Sequence, residues 1–380
     1  MFVAPIPFQI PLRTTIQNDT GQYVNIVIRA LSDGAQSPVN LWQYGAGLGV
    51  LPSTALSEAQ VNAFGIATGP KSQGRRINEP GPGYRNGYSL QASLGISQQL
   101  ASNLALDVAY QMYRGVHLQV SQNVNYRETD IFDPIYGPRL ARIDPTIAQL
   151  NLYSSIGNSI YHGLTTSLTK RFSHNVQFEA NYTYSKTIDD VIDFNATFAA
   201  FLPTRLYLER SVSSFDVRHN FVVSGVFQSP FKSSPGKSWL GHLFGDMTVS
   251  PIVNLRSGIP FTTRAGRDVN GDTTGNYDRP FYAGRNTGQG AGFANVNLRI
   301  SKLIAISREP GIQAELIVEA TNVLNHTNFL SVNDVIGGDP KLVRGPFNLR
   351  GRKDRSPTEA LGFNSAGDPR QIQFGLKVTF

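Results

Sequence analysis

The chain has 380 residues, of which 16% are charged, and a formal net charge of +7. Typical soluble proteins contain about 25% charged residues. The absence of cysteine excludes a disulfide-stapled domain, thiolate metal sites and thiol catalysis. No apolar run approaches the roughly 18 residues of a spanning helix, so any membrane crossing must be made by strands. The 36 glycines, 22 prolines and 10% aromatic residues favour an all-β chain.

The positive charge does not predict a nucleic-acid partner. Basic residues are spread along the chain, and the local cluster between Arg344 and Arg355 lies in a stretch rich in glycine and proline. No aromatic and basic stacking platform accompanies it. We therefore expect no nucleic-acid binding.

The chain divides into two parts by its strand pattern. Residues 1–86 read as a poorly defined segment of strand and loop, with one strand over 24–30 and a weaker one over 8–12. Residues 87–380 alternate apolar and polar side chains in nine segments of about the length that a tilted membrane strand requires. These segments are 88–96, 104–112, 158–171, 176–186, 218–228, 246–256, 292–302, 312–324 and 370–380. Pro251 lies inside one of them and predicts a bulge or an edge position.

The last predicted strand is the most regular. Its apolar side chains share one face, with polar or small residues on the other, and they are Ile372, Phe374, Leu376, Val378 and Phe380. This split is typical of the closing strand of an outer-membrane barrel, and we predict that these five residues form the signal read by the barrel-assembly machinery. Taken alone, the segment also fits an amphipathic strand of a soluble sandwich.

The links between the nine strands alternate in length. The shorter links lie near 98–103, 172–175, 229–245 and 303–311, and the longer ones near 122–157, 187–217, 257–291 and 325–369. Bacterial barrels have short periplasmic turns and long extracellular loops. The pattern therefore predicts an antiparallel meander of about ten strands, part of a transmembrane barrel, with the carboxy-terminus on the periplasmic side.

Six segments, in this order, resemble the carboxy-terminal half of Oar-like TonB-dependent transporters, and the resemblance covers roughly residues 87–380. They are 181–190, 214–221, 256–262, 276–280, 297–302 and 319–329. The resemblance implies a bacterial outer-membrane barrel of about twenty-two strands with a plugged lumen, powered by TonB. The chain has about half of these strands and no recognisable plug, TonB box or signal peptide, so we expect a fragment of a receptor for an unidentified solute. Its expected partners are outer-membrane lipid, the barrel-assembly machinery and, in a full-length transporter, the TonB system and plug.

Polar residues on the predicted inner faces are the candidates for a lumen. They are Gln177, Glu179, Asn181, Arg299, Glu315 and Glu319. Charges facing a barrel interior pair across neighbouring strands, and in a plugged transporter they also contact the plug or line a solute route.

Two acidic clusters lie in predicted loops. Asp268, Asn270 and Asp272 stand at alternate positions, as the ligands of calcium loops do, although the same residues also simply form turns. Calcium is thus a possible cofactor. The second cluster, around Asp189 and Asp190 and extending to Asp193, is expected to be a solvated loop.

No sequence feature predicts an enzyme. The six histidines lack metal-ligand spacing, and neither a nucleophile elbow nor a phosphate-binding glycine loop occurs. Two alternatives to the transporter stay open. One is an outer-membrane pore or surface-binding barrel that works without TonB, and the other is a soluble all-β carbohydrate-binding module.

Overall fold

The computed structural model describes residues 2–3, 75–190, 200–232, 239–273, 275, 277–306, 311–337, 342 and 349–380. The predicted strands over 8–12 and 24–30 lie outside the described residues. So do Asp193 and Arg344.

Eighteen strands occur in the described residues and are numbered here in chain order. They are β1 (Phe2–Val3), β2 (Arg75–Pro80), β3 (Tyr88–Ala101), β4 (Leu104–Asn123), β5 (Tyr126–Asp133), β6 (Gly137–Arg142), β7 (Ile147–Ser173), β8 (Val176–Asp189), β9 (Ser211–Val212), β10 (His219–Gln228), β11 (Met247–Arg256), β12 (Pro260–Phe261), β13 (Gly288–Gln289), β14 (Phe293–Ala305), β15 (Gln313–Thr321), β16 (Phe329–Val332), β17 (Phe363–Ala366) and β18 (Gln371–Thr379).

The main sheet is an antiparallel meander of nine long strands. Its order is β3-β4-β7-β8-β10-β11-β14-β15-β18, with β1 paired to β3, β2 to β7 and β9 to β8. These nine strands confirm the nine predicted segments. Strands β4 and β7 have 20 and 27 residues, so both run well beyond the roughly 9–11 residues that cross a bilayer.

Pro251 does not occupy the predicted bulge or edge. It pairs with Leu298 in a regular β11–β14 ladder and lies in a strand with neighbours on both sides. On the other side, Ser224 pairs with Ile252 and Phe227 with Val249 in unshifted register, and the two pairs between them are missing. Because proline has no N–H to donate, the ladder is interrupted locally instead of shifting by one residue.

The links collect at two ends of the sheet. The turn end carries the short links β3–β4, β7–β8, β10–β11 and β14–β15, and the loop end carries the long ones. In the β7–β8 link, His174 and Asn175 have φ of 49° and 62° between the paired residues Ser173 and Val176. Two positive φ values in a two-residue link match the twist of a tight hairpin.

The link between β10 and β11 contains a short helix, α1 (Trp239–Phe244). A single 3₁₀ turn, Leu206–Glu209, lies in the β8–β10 loop. Within the part of the chain that the structure describes, no helix is long and apolar enough to cross a membrane.

The two edges of the meander run in the same direction. Nine antiparallel strands alternate in direction, so β3 and β18 both run from the loop end to the turn end. Among the described residues, β18 pairs with β15 on one side, and the free side of β3 meets only the two residues of β1. Antiparallel pairing of β3 directly with β18 is therefore excluded.

The long links pack together into what we call the loop cap, the described residues of 124–146, 200–218, 257–292 and 322–370. Three two-stranded antiparallel sheets, β5–β6, β12–β13 and β16–β17, form within it. Its main apolar core consists of Tyr126, Tyr136, Leu140, Phe201, Leu202, Ala265 and Val269. A second cluster centres on Ile336 and Leu361. The loops are thus packed against one another from distant parts of the chain.

Candidate functional site: the polar face and the loop cap

One face of the sheet is polar across strands β8 to β18. Glu179 pairs with Ser224, Ser224 with Ile252, and Ile252 with Asn297. Side chains directly opposite each other lie on the same face of a sheet, so these four residues share one face across β8, β10, β11 and β14. The six predicted lumen residues all belong to it: Gln177, Glu179, Asn181, Arg299, Glu315 and Glu319.

A cluster of charges lies on the polar face. Arg299 donates to Glu319 at 2.7 Å across the β14–β15 ladder and lies 3.9 Å from Glu315. The next strand places Gln373 opposite Glu319 and Lys377 opposite Glu315. The Arg299 and Glu319 side chains are 47% and 44% exposed, so the pair contributes at most about 1 kcal/mol to stability. Its charges face solvent.

A recess of about 490 Å³ lies at the centre of this face. Polar side chains from six strands line it, and they are Thr169, Gln177, Glu179, Ser224, Ser250, Asn297, Arg299, Glu319 and Thr321. The mixture of amide, hydroxyl and opposite charges suits contact with water or with a polar surface.

The opposite face is apolar. On β18 it carries four of the five predicted assembly residues, and the fifth, Phe380, directly follows the strand; Phe374, Leu376 and Phe380 are 82%, 65% and 95% exposed. The same face carries Phe178, Val223, Val253, Leu298 and Val318 on other strands. Large apolar side chains exposed over a whole sheet face need an apolar environment.

A buried ion network holds the loop cap to the sheet. Arg285 is 2% exposed and donates to the Asp189 carboxylate and main-chain carbonyl and to the Glu209 main-chain carbonyl at 2.7 Å. Arg279 donates to Glu209 Oε1 at 2.9 Å, and its guanidinium lies 5.2 Å from the centre of the Phe201 ring. The sequence pattern did not reveal this network, because its members are separated by up to 96 residues.

The expectation of a solvated acidic cluster after β8 was wrong for Asp189 and Asp190. Asp189 is 5% exposed and pairs with Arg285. Asp190 pairs with Arg210 at 2.8 Å, and its other oxygen accepts the backbone N–H of Asn158 at 2.9 Å. Both carboxylates therefore anchor the chain where β8 enters the loop cap.

The predicted calcium loop is held by its own hydrogen bonds. Asp268 accepts the backbone N–H groups of Gly271 and Thr273, and Asn270 Oδ1 accepts that of Asp272. Asn270 is fully buried and donates to the Phe201 carbonyl at 2.6 Å. Among the described residues, no group of three or more histidine, aspartate or glutamate side chains is arranged to hold a metal ion. Calcium binding stays a prediction.

Asp278 is a buried hydrogen-bond acceptor for the same loop. It is 1% exposed and accepts the backbone N–H of Val269 at 2.6 Å and the side-chain amide of Asn270 at 3.2 Å. Burial raises the pKa of Asp278 from its usual 3.8 to about 7, and the negative charges of Asp272 and Asp268 act in the same direction. The backbone N–H groups act against this rise. The loop cap thus contains a carboxyl group that titrates near neutral pH.

Residues 20–284 match the family described as outer membrane beta barrel domain. The chain belongs to this family. The match includes most of residues 1–86, which lie largely outside the described structure, and continues into the loop cap. No curated protein matches the chain.

Several solved structures are similar to this outer membrane β-barrel domain at low identity. The outer membrane transporter YddB from Escherichia coli is 10% identical over 67% of this chain and 31% of its own, with a TM-score of 0.42. The ferric-catecholate import receptor Fiu from E. coli K12 is 13% identical over 78% of this chain and 27% of its own, with a TM-score of 0.39. The pyoverdine receptor FpvA from Pseudomonas aeruginosa is 14% identical over 78% of this chain and 30% of its own, with a TM-score of 0.38. This chain spans less than a third of each.

Family membership gives each surface of the domain its environment. The protein is located in the bacterial outer membrane, so its apolar sheet face meets lipid. Because bacterial barrels have short periplasmic turns and long outer loops, the loop cap faces the cell exterior. The soluble carbohydrate-binding module that the sequence left open does not fit this location.

Proposed function

We propose that this domain forms the carboxy-terminal part of the barrel of an Oar-like TonB-dependent receptor that transports an unidentified solute. In this proposal, the plug, the signal peptide and the remaining strands belong to sequence outside this chain. The polar face lines the lumen beside the plug, and the TonB system supplies the energy. The protein acts as a transporter, and not as an enzyme.

The observation that carries the proposal is the parallel direction of the two sheet edges. Bacterial single-chain barrels have an even number of antiparallel strands. The nine long strands of the described residues end on β3 and β18, which run in the same direction. In lipid, each unpaired backbone group costs several kcal/mol, so both edges need further strands. Among the described residues, β18 is joined by β15 alone and β3 gains only the two residues of β1 at its edge, and such an odd arc of long strands fits a portion of a larger barrel.

The charge cluster on the polar face supports a lumen that is wide enough for solvent or a plug. Arg299, Glu315 and Glu319 keep a quarter to a half of their side-chain surface exposed. In a small barrel, side chains fill the interior, whereas a twenty-two-stranded transporter barrel encloses a plugged lumen. Half-exposed charges of both signs suit contact with a plug surface.

A cross-linking experiment tests the proposal against a small closed barrel. Ser93 on β3 and Gln373 on β18 both lie on the polar face, because they pair with Gln111 and Glu319. The chain has no cysteine, so a Ser93→Cys, Gln373→Cys variant carries only the introduced thiols. A ten-stranded closed barrel would leave one strand between the edges, so these thiols would be separated by two strand spacings, about 10 Å, plus their offset along the strands, and a long flexible bismaleimide would join them.

The proposal predicts that a bismaleimide of that reach does not join the two cysteines within one membrane-inserted chain. A Ser93→Cys, Gln111→Cys variant is the matched control, since its residues are directly paired and must cross-link. Efficient intramolecular cross-linking of the first variant would mean that the chain closes alone, and it would favour a pore that needs no TonB.

One observation favours a second candidate function, a surface-binding barrel. The loop cap is packed around its own apolar core and held by buried ion pairs. Loops that only connect strands do not need such a packed structure. Ordered loops on a rigid scaffold are common binding sites. Binding of cell-surface or extracellular components without any TonB-dependent uptake of the bound component would support this candidate over transport.

A further inference from the structure

Helix α1 and Phe231, which lies earlier in the same β10–β11 link, expose apolar side chains at the turn end. Phe231, Trp239, Leu243 and Phe244 are 60%, 70%, 53% and 46% exposed. Trp239 and Leu243 are four residues apart and so lie on the same side of the helix. A periplasmic link surrounded by water would gain nothing from such a surface.

Lys302 shows on which side of the sheet the helix lies. It pairs with Met247 and Leu316 on neighbouring strands, so its side chain belongs to the apolar face. Its Nζ donates to the main-chain carbonyls of Leu243 at 3.3 Å and Gly245 at 2.8 Å. The carboxy-terminal end of α1 therefore lies beside the lipid-facing surface and not beneath the lumen.

Main-chain hydrogen bonds fix the link to the strands that flank it. Ser229 N–H donates to the Met247 carbonyl at 2.8 Å, and Asp246 N–H donates to the Phe231 carbonyl at 3.0 Å. The N–H of Leu303, at the end of β14, donates to the Asp246 carbonyl at 3.1 Å. These bonds hold the base of the helix against β10, β11 and β14.

We propose that α1 is an interfacial helix, and that its Trp239 and Leu243, together with Phe231 earlier in the link, insert into the periplasmic leaflet of the outer membrane, at the boundary of headgroups and acyl chains. The occupant of this surface is lipid, because the helix continues the apolar face that the family places in the bilayer. Tryptophan favours this boundary, where its ring is in apolar surroundings and its N–H stays hydrated. Lys302 extends along the apolar face and keeps its ammonium group at the same boundary.

Fluorescence quenching in the membrane-inserted protein tests this placement. The chain has two tryptophans, so a Trp42→Phe variant makes Trp239 the sole tryptophan emitter. The variant is reconstituted in phosphatidylethanolamine and phosphatidylglycerol vesicles that contain lipids with nitroxides near the headgroup or near the chain end. We expect stronger quenching of Trp239 by the shallow nitroxide than by the deep one, together with protection from aqueous iodide.

A control tryptophan on the sheet distinguishes a wrong placement of α1 from failure of the barrel to insert into the membrane. Tyr182 lies on the apolar face opposite Phe221, so a Tyr182→Trp variant without the two native tryptophans reports on the sheet itself. Quenching of this introduced indole by nitroxide lipid, with Trp239 open to iodide and insensitive to both lipids, would overturn the interfacial helix while leaving the barrel intact.

A second pair of variants tests the role of Lys302. Lys302→Met, in the Trp42→Phe background, removes the donor that faces the helix carbonyls, and we expect loss of shallow quenching as α1 leaves the boundary. Lys170→Met is the matched control, because Lys170 donates to the turn carbonyls of Ser173 and Val176 at another link. It should leave the Trp239 signal unchanged, and equal effects of both variants would contradict the assigned role.

Discussion

Replacing Arg285 by methionine tests whether the buried ion network holds the loop cap in place. The substitution keeps an apolar stem but removes the guanidinium that serves Asp189 and the Glu209 carbonyl. Glu209 retains Arg279 at 2.9 Å, whereas Asp189 stays 5% exposed without its cation. Removing one partner of a buried pair costs about 3–5 kcal/mol, because the remaining charge is left uncompensated.

This cost should appear as local opening of the loop cap, because the strand ladders of the sheet are unchanged. A loss of about 3 kcal/mol raises the open fraction more than a hundredfold, since each 1.4 kcal/mol is a factor of about ten. Hydrogen exchange measured by mass spectrometry should show this loss in peptides covering 200–216 and 278–290. Peptides from β14 and β15 should be unaffected.

Arg352→Met is the control for this variant. Arg352 pairs with Asp354, but these side chains are 48% and 66% exposed, so its loss should change stability little. Similar hydrogen exchange in the two variants would refute the reasoning, because it would mean that the buried Arg285 pair contributes no more stability than the exposed Arg352 pair.

Two further predictions concern the loop cap and the last strand. Because burial raises the pKa of Asp278 from 3.8 to about 7, its ionisation opposes the packed loop, and protection of amides in 268–278 should fall as pH rises between these values. After correction for the intrinsic effect of pH on amide exchange, the Asp278→Asn variant should no longer show this pH dependence of protection. The same pH dependence in the variant would mean that another group causes it. Deleting Phe380, which is 95% exposed, should sharply reduce membrane insertion, measured by heat-modifiable migration in gels. A Phe380→Tyr control should insert normally. Normal insertion of the deletion variant would contradict the predicted assembly signal.

The strands of the sheet were predictable because their pattern is local. Side chains alternate with period two, and a strand with lipid on one face and solvent on the other must display that alternation in its own sequence. The polar-face residues followed for the same reason, and short hairpins fix which residues stand opposite each other. The pairing of Arg299 with Glu319 crosses a single turn, 20 residues apart in sequence.

The loop cap was not predictable because its contacts are not local. Asp189 resembled a solvated loop residue, and its partner Arg285 lies 96 residues away in another link. No periodicity relates the two, so only the folded loops reveal the pair. Pro251 was misjudged for a different reason: a proline removes one donor, and the ladder accommodates this loss without a change of register.

The central claim is that the sheet crosses the outer membrane with one face to lipid and one to the lumen, and cysteine scanning along β8 tests it most directly. Single cysteines at positions 177 to 182 are introduced into the cysteine-free chain, and the inserted protein is treated with a membrane-impermeant maleimide. We predict that labelling alternates, with the Gln177, Glu179 and Asn181 positions reactive and the Phe178, Ala180 and Tyr182 positions protected. Uniform labelling, or protection without a period of two, would contradict the account.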